Sequence, residues 1–269
     1  MLRTVGLTAA FLAATAFIAD AQPRRHDFQR SAKDWCDDGN SDRGYFCEVR
    51  EDSLAGTNVL DIDASPNGGI RVRGWDRPDI AIRSRVSAHA DSDDEAQRIV
   101  SQVRVDTGGG RIRADGPTQS DGGWSVSYEL SVPNGANLTL KTVNGGISVQ
   151  DLRADVRFRA HNGGVQLANV GGDIRGETTN GGVNVELSGD RWNGAGLDVE
   201  TSNGGVNITV PSNYSAELET GTVNGRLRID FPITVQGSNI ARQVNTTLGS
   251  GGPRIRAMTN NGGVSVRRR

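Results

Sequence analysis

From Thr57 onward, apolar and polar residues alternate in short bursts broken by Gly, Asn and Pro. Alternation with period two marks a strand with one buried face. Val59, Leu60 and Ile62, then Ile70 and Val72, then Ile80, Ile82 and Val86, and later Trp124 to Val132 read as such strands. Turn-forming Pro66-Asn67-Gly68-Gly69 and Trp75-Asp76-Arg77-Pro78 separate the first of them. One stretch departs from period two. Ser92 can cap a helix, Asp93, Asp94 and Glu95 suit its first turn, and Ile99, Val100 and Val103 supply an apolar side. This predicts one short helix near 92–103. A hairpin follows, from Val103 to Ile112, turning at Thr107 to Gly110.

From Asn137 a phrase takes over: Thr-x-Asn-Gly-Gly, then two apolar residues separated by a polar one. It recurs at spacings of 18 to 23 residues from Asn144 through Asn162, Asn180 and Asn203 to Asn224, and again at Asn261. The second copy has Ala160 in place of Thr, and the copy at Asn224 has Arg226 in place of its second Gly. Asn67-Gly68-Gly69 is an outlying copy. Aligned on Asn, the position six earlier holds Leu138, Val156, Ile174, Leu197, Leu218 and Ile255. The position four earlier holds Leu140, Phe158, Val199, Thr220 and Ala257, with Gly176 the exception.

One turn and short strands per period of about 20 residues are the mark of stacked coils. The expected fold is all-β: a right-handed single-stranded β-helix, or solenoid-like stack, with Asn-Gly-Gly corners at Asn144, Asn162, Asn180, Asn203, Asn224 and Asn261. A meander of Asn-Gly hairpins is the competing arrangement. Stacked Asn side chains about 4.8 Å apart would form an amide ladder. Gly and Asn at each corner would supply positive φ. Four segments are expected: a signal peptide (1–21), a charged leader (22–56), an N-terminal β region with the helix (57–136), and the repeats (137–269), continuous with the region before them. The closing Val264-Ser265-Val266 and Arg267 to Arg269 read as a charged guard on an open sheet edge, favouring a monomer or small oligomer.

The corners, the Gly69-Ile70-Arg71-Val72-Arg73-Gly74-Trp75-Asp76 segment and the acidic helix near Asp93 to Val100 resemble the bacterial putative-adhesin family of β-strand-repeat proteins, a domain of unknown function. The resemblance runs from about Thr57 to Arg267. It implies a β-helix-like fold and a role at the cell envelope or surface, and it brings no catalytic motif.

Compartment follows from the N-terminus. Arg3, the apolar stretch Val5 to Ile18 and Ala19-Asp20-Ala21 make a signal peptide cleaved after Ala21. The stretch is too short to span a bilayer well, so the expected protein is exported, periplasmic or at the cell surface, and not membrane-spanning. The two cysteines, Cys36 and Cys47, enclose a polar loop and are expected to form a disulfide, worth about 3 kcal/mol in the chain-entropy model. A metal-binding pair is the weaker alternative, because no His cluster lies nearby. A formal net charge of −2 speaks against nucleic acid as partner.

Catalytic signals are sparse. His26, His89 and His161 lack partners at metal-ligand spacing, and the Gly pairs lack the Asp of calcium-binding rolls. No catalytic, cofactor-binding or metal residues are therefore assigned. Glu177 and Glu200 fall in one column and would be the carboxylate pair of a carbohydrate-active enzyme. Ser148, Gln166, Asn184, Asn207 and Ser265 fall between the apolar residues after each corner, as an uncharged polar strip suited to hydrogen-bonding a glycan. The expected function is a non-enzymatic, adhesin-like interaction or scaffold role toward an envelope glycan, a host glycan or a protein. The alternatives are a carbohydrate-active enzyme and a self-assembling envelope scaffold.

Overall fold

The computed structural model describes residues 31–37, 43–118, 123–230 and 242–269. The signal-peptide expectation and His26 lie outside the described residues. A five-residue helix α1 (Ala32–Cys36) is followed by β1 (Gly44–Leu54), β2 (Val59–Asp63), β3 (Ile70–Trp75), β4 (Ile80–Ala90), helix α2 (Asp93–Gln102), β5 (Arg104–Asp106), β6 (Arg111–Asp115) and β7 (Gly123–Pro133). The repeats supply β8 (Asn137–Asn144), β9 (Ile147–Arg153), β10 (Val156–Asn162), β11 (Val165–Gly171), β12 (Asp173–Asn180), β13 (Val183–Glu186), β14 (Gly196–Asn203) and β15 (Val206–Val210). Then come β16 (Ala216–Asn224), β17 (Leu227–Ile229), β18 (Gln243–Leu248), β19 (Arg254–Asn261) and β20 (Val264–Arg268).

Each repeat gives the strand before its Asn to one sheet and the strand after its Gly pair to another. The two ten-stranded sheets run β1-β4-β7-β3-β9-β11-β13-β15-β20-β17 and β18-β16-β19-β14-β12-β10-β8-β2-β6-β5. Repeat strands pair in parallel with like residues opposite: Val156 lies between Leu138 and Ile174, and Val165 between Ile147 and Val183. The apolar columns of both sheets merge into one buried cluster. Stacked coils are the outcome, and the meander is not. The helix forms as expected, capped by Ser92 Oγ accepting from Glu95 N, with Ala96 and Val100 buried against the core. The exception Gly176 has a steric reason. A Cβ there would lie 2.4 Å from the Phe158 ring, so the large side chain of one rung occupies the space its neighbour leaves free.

The corners stack as an amide ladder. Asn144 Nδ2 donates to Asn67 Oδ1 at 2.8 Å, and the same bond continues through Asn162, Asn180, Asn203 and Asn261 to Asn224, each at 2.8 or 2.9 Å. Inside the ladder each Thr hydroxyl donates to the first-Gly carbonyl of the rung before it, as Thr178 does to Gly163 O at 2.8 Å and Thr201 to Gly181 O at 2.7 Å. Ala160 has no hydroxyl to offer Gly145 O. The reason expected for the glycines is corrected here. None of the six corner Asn, and no corner Gly after Gly68, has positive φ. The first Gly is required because stacking leaves no room: a Cβ on Gly163 would lie 1.9 Å from Gly145 O, and one on Gly181 2.2 Å from Gly163 O. Left-handed backbone occurs instead at the opposite edge, at Asp151 (φ 54°) and Asn169 (φ 50°), where Asn169 Nδ2 donates to Asp151 Oδ1 at 2.7 Å.

A second correction concerns coil order. The last repeat, β19 and β20, does not end the stack. It slots between β14 and β15 on one side and β16 and β17 on the other. Arg267 and Arg268 therefore belong to an interior strand, paired with Thr209 and Val210, and guard no edge; Arg269, just after it, bonds Glu186 and the Leu187 carbonyl. Antiparallel strands or short ones finish the sheets: β1 on β4 and β17 in the first, β18 on β16 and β5 in the second.

Candidate functional site

The strip found in sequence is a real line on the outer face of the first sheet. Register places Ser148 beside Gln166, Gln166 beside Asn184, Asn184 beside Asn207 and Asn207 beside Ser265. Gln166, Asn184 and Asn207 are exposed, and the two serines are half-buried. Asn207 Nδ2 donates to Asn184 Oδ1 at 2.8 Å. The line continues to Arg71 and Glu129 at one end and Arg228 at the other. Two residues earlier on each strand runs the column Ser127, Gly69, Gly146 and Gly164, where the glycines present bare backbone. The result is a trough of about 420 Å³ over β7, β3, β9, β11 and β13, with the glycines as floor and Ser148, Gln166 and Asn184 of the strip as one bank.

One end of this trough is lined by a residue outside the repeat pattern. The Cys36–Cys47 disulfide, with Cα atoms 5.6 Å apart, staples α1 to β1. Tyr45 Oη adds a hydrogen bond to the Cys36 carbonyl at 3.3 Å. Trp35 is thereby placed with Arg83 5.3 Å from its ring centre, and it lines the trough with Arg71 and Glu129. Beneath it Glu129 is buried and takes both Arg71 Nη1 at 2.7 Å and Arg83 Nη1 at 3.1 Å. Sequence reasoning missed Trp35 because it sits in the aperiodic leader. The available signal was a Trp directly beside a disulfide cysteine.

The other sheet carries a different surface. Its outer face has a cleft of about 530 Å³ bordered by Lys141, Arg157, Arg159, Arg175, Glu177, Asp198, Glu200 and Arg256. Glu177 and Glu200 are cross-strand neighbours, as their column implied. Each is exposed and ion-paired: Glu177 with Arg159 at 2.8 Å, Glu200 with Arg256 at 2.5 Å. Burial raises the Asp173 carboxyl, but hydrogen bonds from Arg157 and Arg175 outweigh it and hold the group below its ordinary value. Exposed pairs like these describe a solvated ion-pair ladder, each pair worth about 0–1 kcal/mol. His161 is exposed before its corner. Among the described residues no group of three or more His, Cys, Asp or Glu could hold a metal ion, and no helix is long and apolar enough to cross a membrane.

A family model described as Toastrack DUF4097 matches residues 63–267. The chain belongs to the Toastrack family. The matched span covers both sheets of the repeat stack, while α1, Trp35 and β1 lie before it. No curated protein matches this Toastrack chain. Among solved structures it is similar to one described as a putative cell adhesion protein from Clostridium sporogenes, at 10% identity over 82% of this chain and 100% of that one, with a TM-score of 0.42. A second is described as a putative adhesin from Bacteroides fragilis, at 11% identity over 82% and 97%, TM-score 0.33. A third is described as a putative lipid binding protein from Parabacteroides distasonis, at 9% identity over 82% and 96%, TM-score 0.29. Identities this low bear on no ligand.

Proposed function

We propose that this Toastrack protein is an exported, non-enzymatic solenoid of the cell envelope or surface that binds an extended glycan along the trough of its first sheet. The observation that carries the reading is the alignment of Ser148, Gln166 and Asn184 along the glycine-floored channel, continued in register beyond it by Asn207 and Ser265. Amide and hydroxyl groups each offer donors and acceptors, repeated about every 4.8 Å, and a polysaccharide presents hydroxyls with comparable regularity. Family membership supports an adhesin-like or scaffold kind of role. The disulfide fits an oxidising compartment, in keeping with removal of residues 1–21 on export. Glu177 and Glu200 lie on an exposed face, each engaged by an Arg, and this arrangement favours binding over hydrolysis.

The test is binding of the mature chain to an array of envelope and host glycans, with product release followed in parallel. Saturable binding without cleavage is expected, weakened at least about tenfold by the double substitution Gln166→Ala and Asn184→Ala (about 1.4 kcal/mol or more). Product release, or binding indifferent to that double variant, would refute it.

A further inference from the structure

Nine Asn-Gly pairs occur in the chain, at Asn67, Asn134, Asn144, Asn162, Asn180, Asn193, Asn203, Asn224 and Asn261. Asn-Gly is the pair in which an Asn most readily loses its side-chain amide, because Gly lets its own nitrogen approach closely. The Gly nitrogen bonds to the Asn Cγ, the Asn amide C–N bond breaks, and the Gly N–H proton ends on the departing ammonia. Water then opens the cyclic imide at either carbonyl, leaving aspartate or isoaspartate. The reaction needs a Gly N–H that is not already donating and an Asn side chain able to turn onto it.

Six pairs fail both conditions. Gly68, Gly145, Gly163, Gly181, Gly204 and Gly262 each donate N–H to the Asn carbonyl of a neighbouring rung at 2.9 to 3.1 Å. Each of these glycines is buried or half-buried, and the Asn beside it is tied into the amide ladder. The other three pairs differ. Among the described residues, Gly135, Gly194 and Gly225 donate their N–H to nothing, and each is exposed together with its Asn. Asn134 turns β7 into β8, and its Oδ1 accepts from Arg153 N at 3.0 Å. Asn224 is the last rung, held by one side-chain bond to Asn261, and its Gly225 N–H has no described rung to meet. Asn193 joins β13 to β14, and its side chain makes no hydrogen bond among the described residues.

We infer that Asn134, Asn193 and Asn224 are sites of spontaneous deamidation, with Asn193 the fastest, and that stacking withholds the other six Asn from the same chemistry. The ladder thus protects its corners chemically as well as holding them together. Negative charge accumulates only in two turns and at the last corner, where it falls two residues from Arg226. None of this depends on what the trough binds.

The experiment is a timed incubation of the mature chain in mildly alkaline buffer, native and unfolded in urea, with circular dichroism confirming each state. Peptide mass spectrometry follows amide loss at every Asn. The urea sample gives each pair its intrinsic rate, so the effects of neighbouring residues cancel in the ratio of native to unfolded. By that ratio each ladder pair is expected to react at least about tenfold more slowly than each open pair, equivalent to about 1.4 kcal/mol of protection. Equal ratios across all nine would overturn the shielding by the ladder. An open pair as slow as the ladder would overturn the assignment of that Asn, and a ratio at Asn193 below those of Asn134 and Asn224 would overturn the ranking.

Discussion

Gly163 and Gly164 are adjacent and neither has positive φ, yet the stack treats them oppositely. A Cβ on Gly163 points back along the stack, 1.9 Å from Gly145 O and 2.4 Å from its carbonyl carbon. A Cβ on Gly164 points forward and meets Gly182 O at 3.3 Å. Carbon and oxygen approach comfortably at about 3.3–3.6 Å. Gly163→Ala must therefore push neighbouring rungs apart by about 1 Å or more, where Gly145 N donates to Asn162 O at 3.1 Å and Asn162 Nδ2 to Asn144 Oδ1 at 2.8 Å. Overpacking of about 1–3 kcal/mol plus two hydrogen bonds of about 1 kcal/mol each gives a loss of about 3–5 kcal/mol. Gly164→Ala asks a neighbour to yield slightly, and the lower entropy of the unfolded chain offsets this by about 0.4–1 kcal/mol. Its net effect should stay within about 1 kcal/mol of zero. Urea unfolding followed by circular dichroism reads both variants as midpoint shifts at constant slope. A difference between them below about 1 kcal/mol, or the reverse order, would refute rung-to-rung approach as the reason for the first Gly.

Three further outcomes follow from the same geometry. Ala160→Thr should stabilise by about 1 kcal/mol, because the new hydroxyl completes the Thr column onto Gly145 O; an unchanged or lower melting temperature would count against that hydrogen bond. Gly176→Ala alone should cost about 1–3 kcal/mol by colliding with the Phe158 ring, and Phe158→Val should relieve much of it. A double-mutant cycle with no coupling would show that the ring does not fill that space. Tyr128→Phe should stabilise by about 1 kcal/mol, since the buried Tyr128 hydroxyl has no hydrogen-bond partner among the described residues. A fall in melting temperature would show that the hydroxyl contributes to the fold.

The features of the fold that show in the sequence are those where one residue's environment repeats. Leu138, Val156 and Ile174 meet the same neighbours rung after rung, so their column appears on alignment. The polar strip appears for the same reason. What stays hidden does not repeat. β1 has no clear alternation, because α1 is stapled against it and most of its residues are half-buried. Trp35 reaches the trough through a disulfide and a tertiary contact that no periodicity encodes. The φ expected of the corner glycines is a local property, whereas their actual cause is a contact with a rung 18 or more residues away.

Coil order is harder still, because a Thr-x-Asn-Gly-Gly rung fits equally well against any other. Chain order predicts that the Asn261 rung comes last, and the structure places Asn224 last instead. One residue does carry the information. The second Gly of each rung faces the next rung: a Cβ on Gly146, Gly164, Gly182 or Gly205 would meet the following carbonyl at 3.1 to 3.3 Å. A methyl there asks the following rung to yield only slightly, but a long side chain has open space where no described rung follows. Arg226 occupies it in the Asn224 copy, and that copy is the final rung of the ladder. The substitution that looks like decay of the repeat thus marks the end of the stack. It fits the placement of the later copy at Asn261, which keeps both glycines, ahead of it.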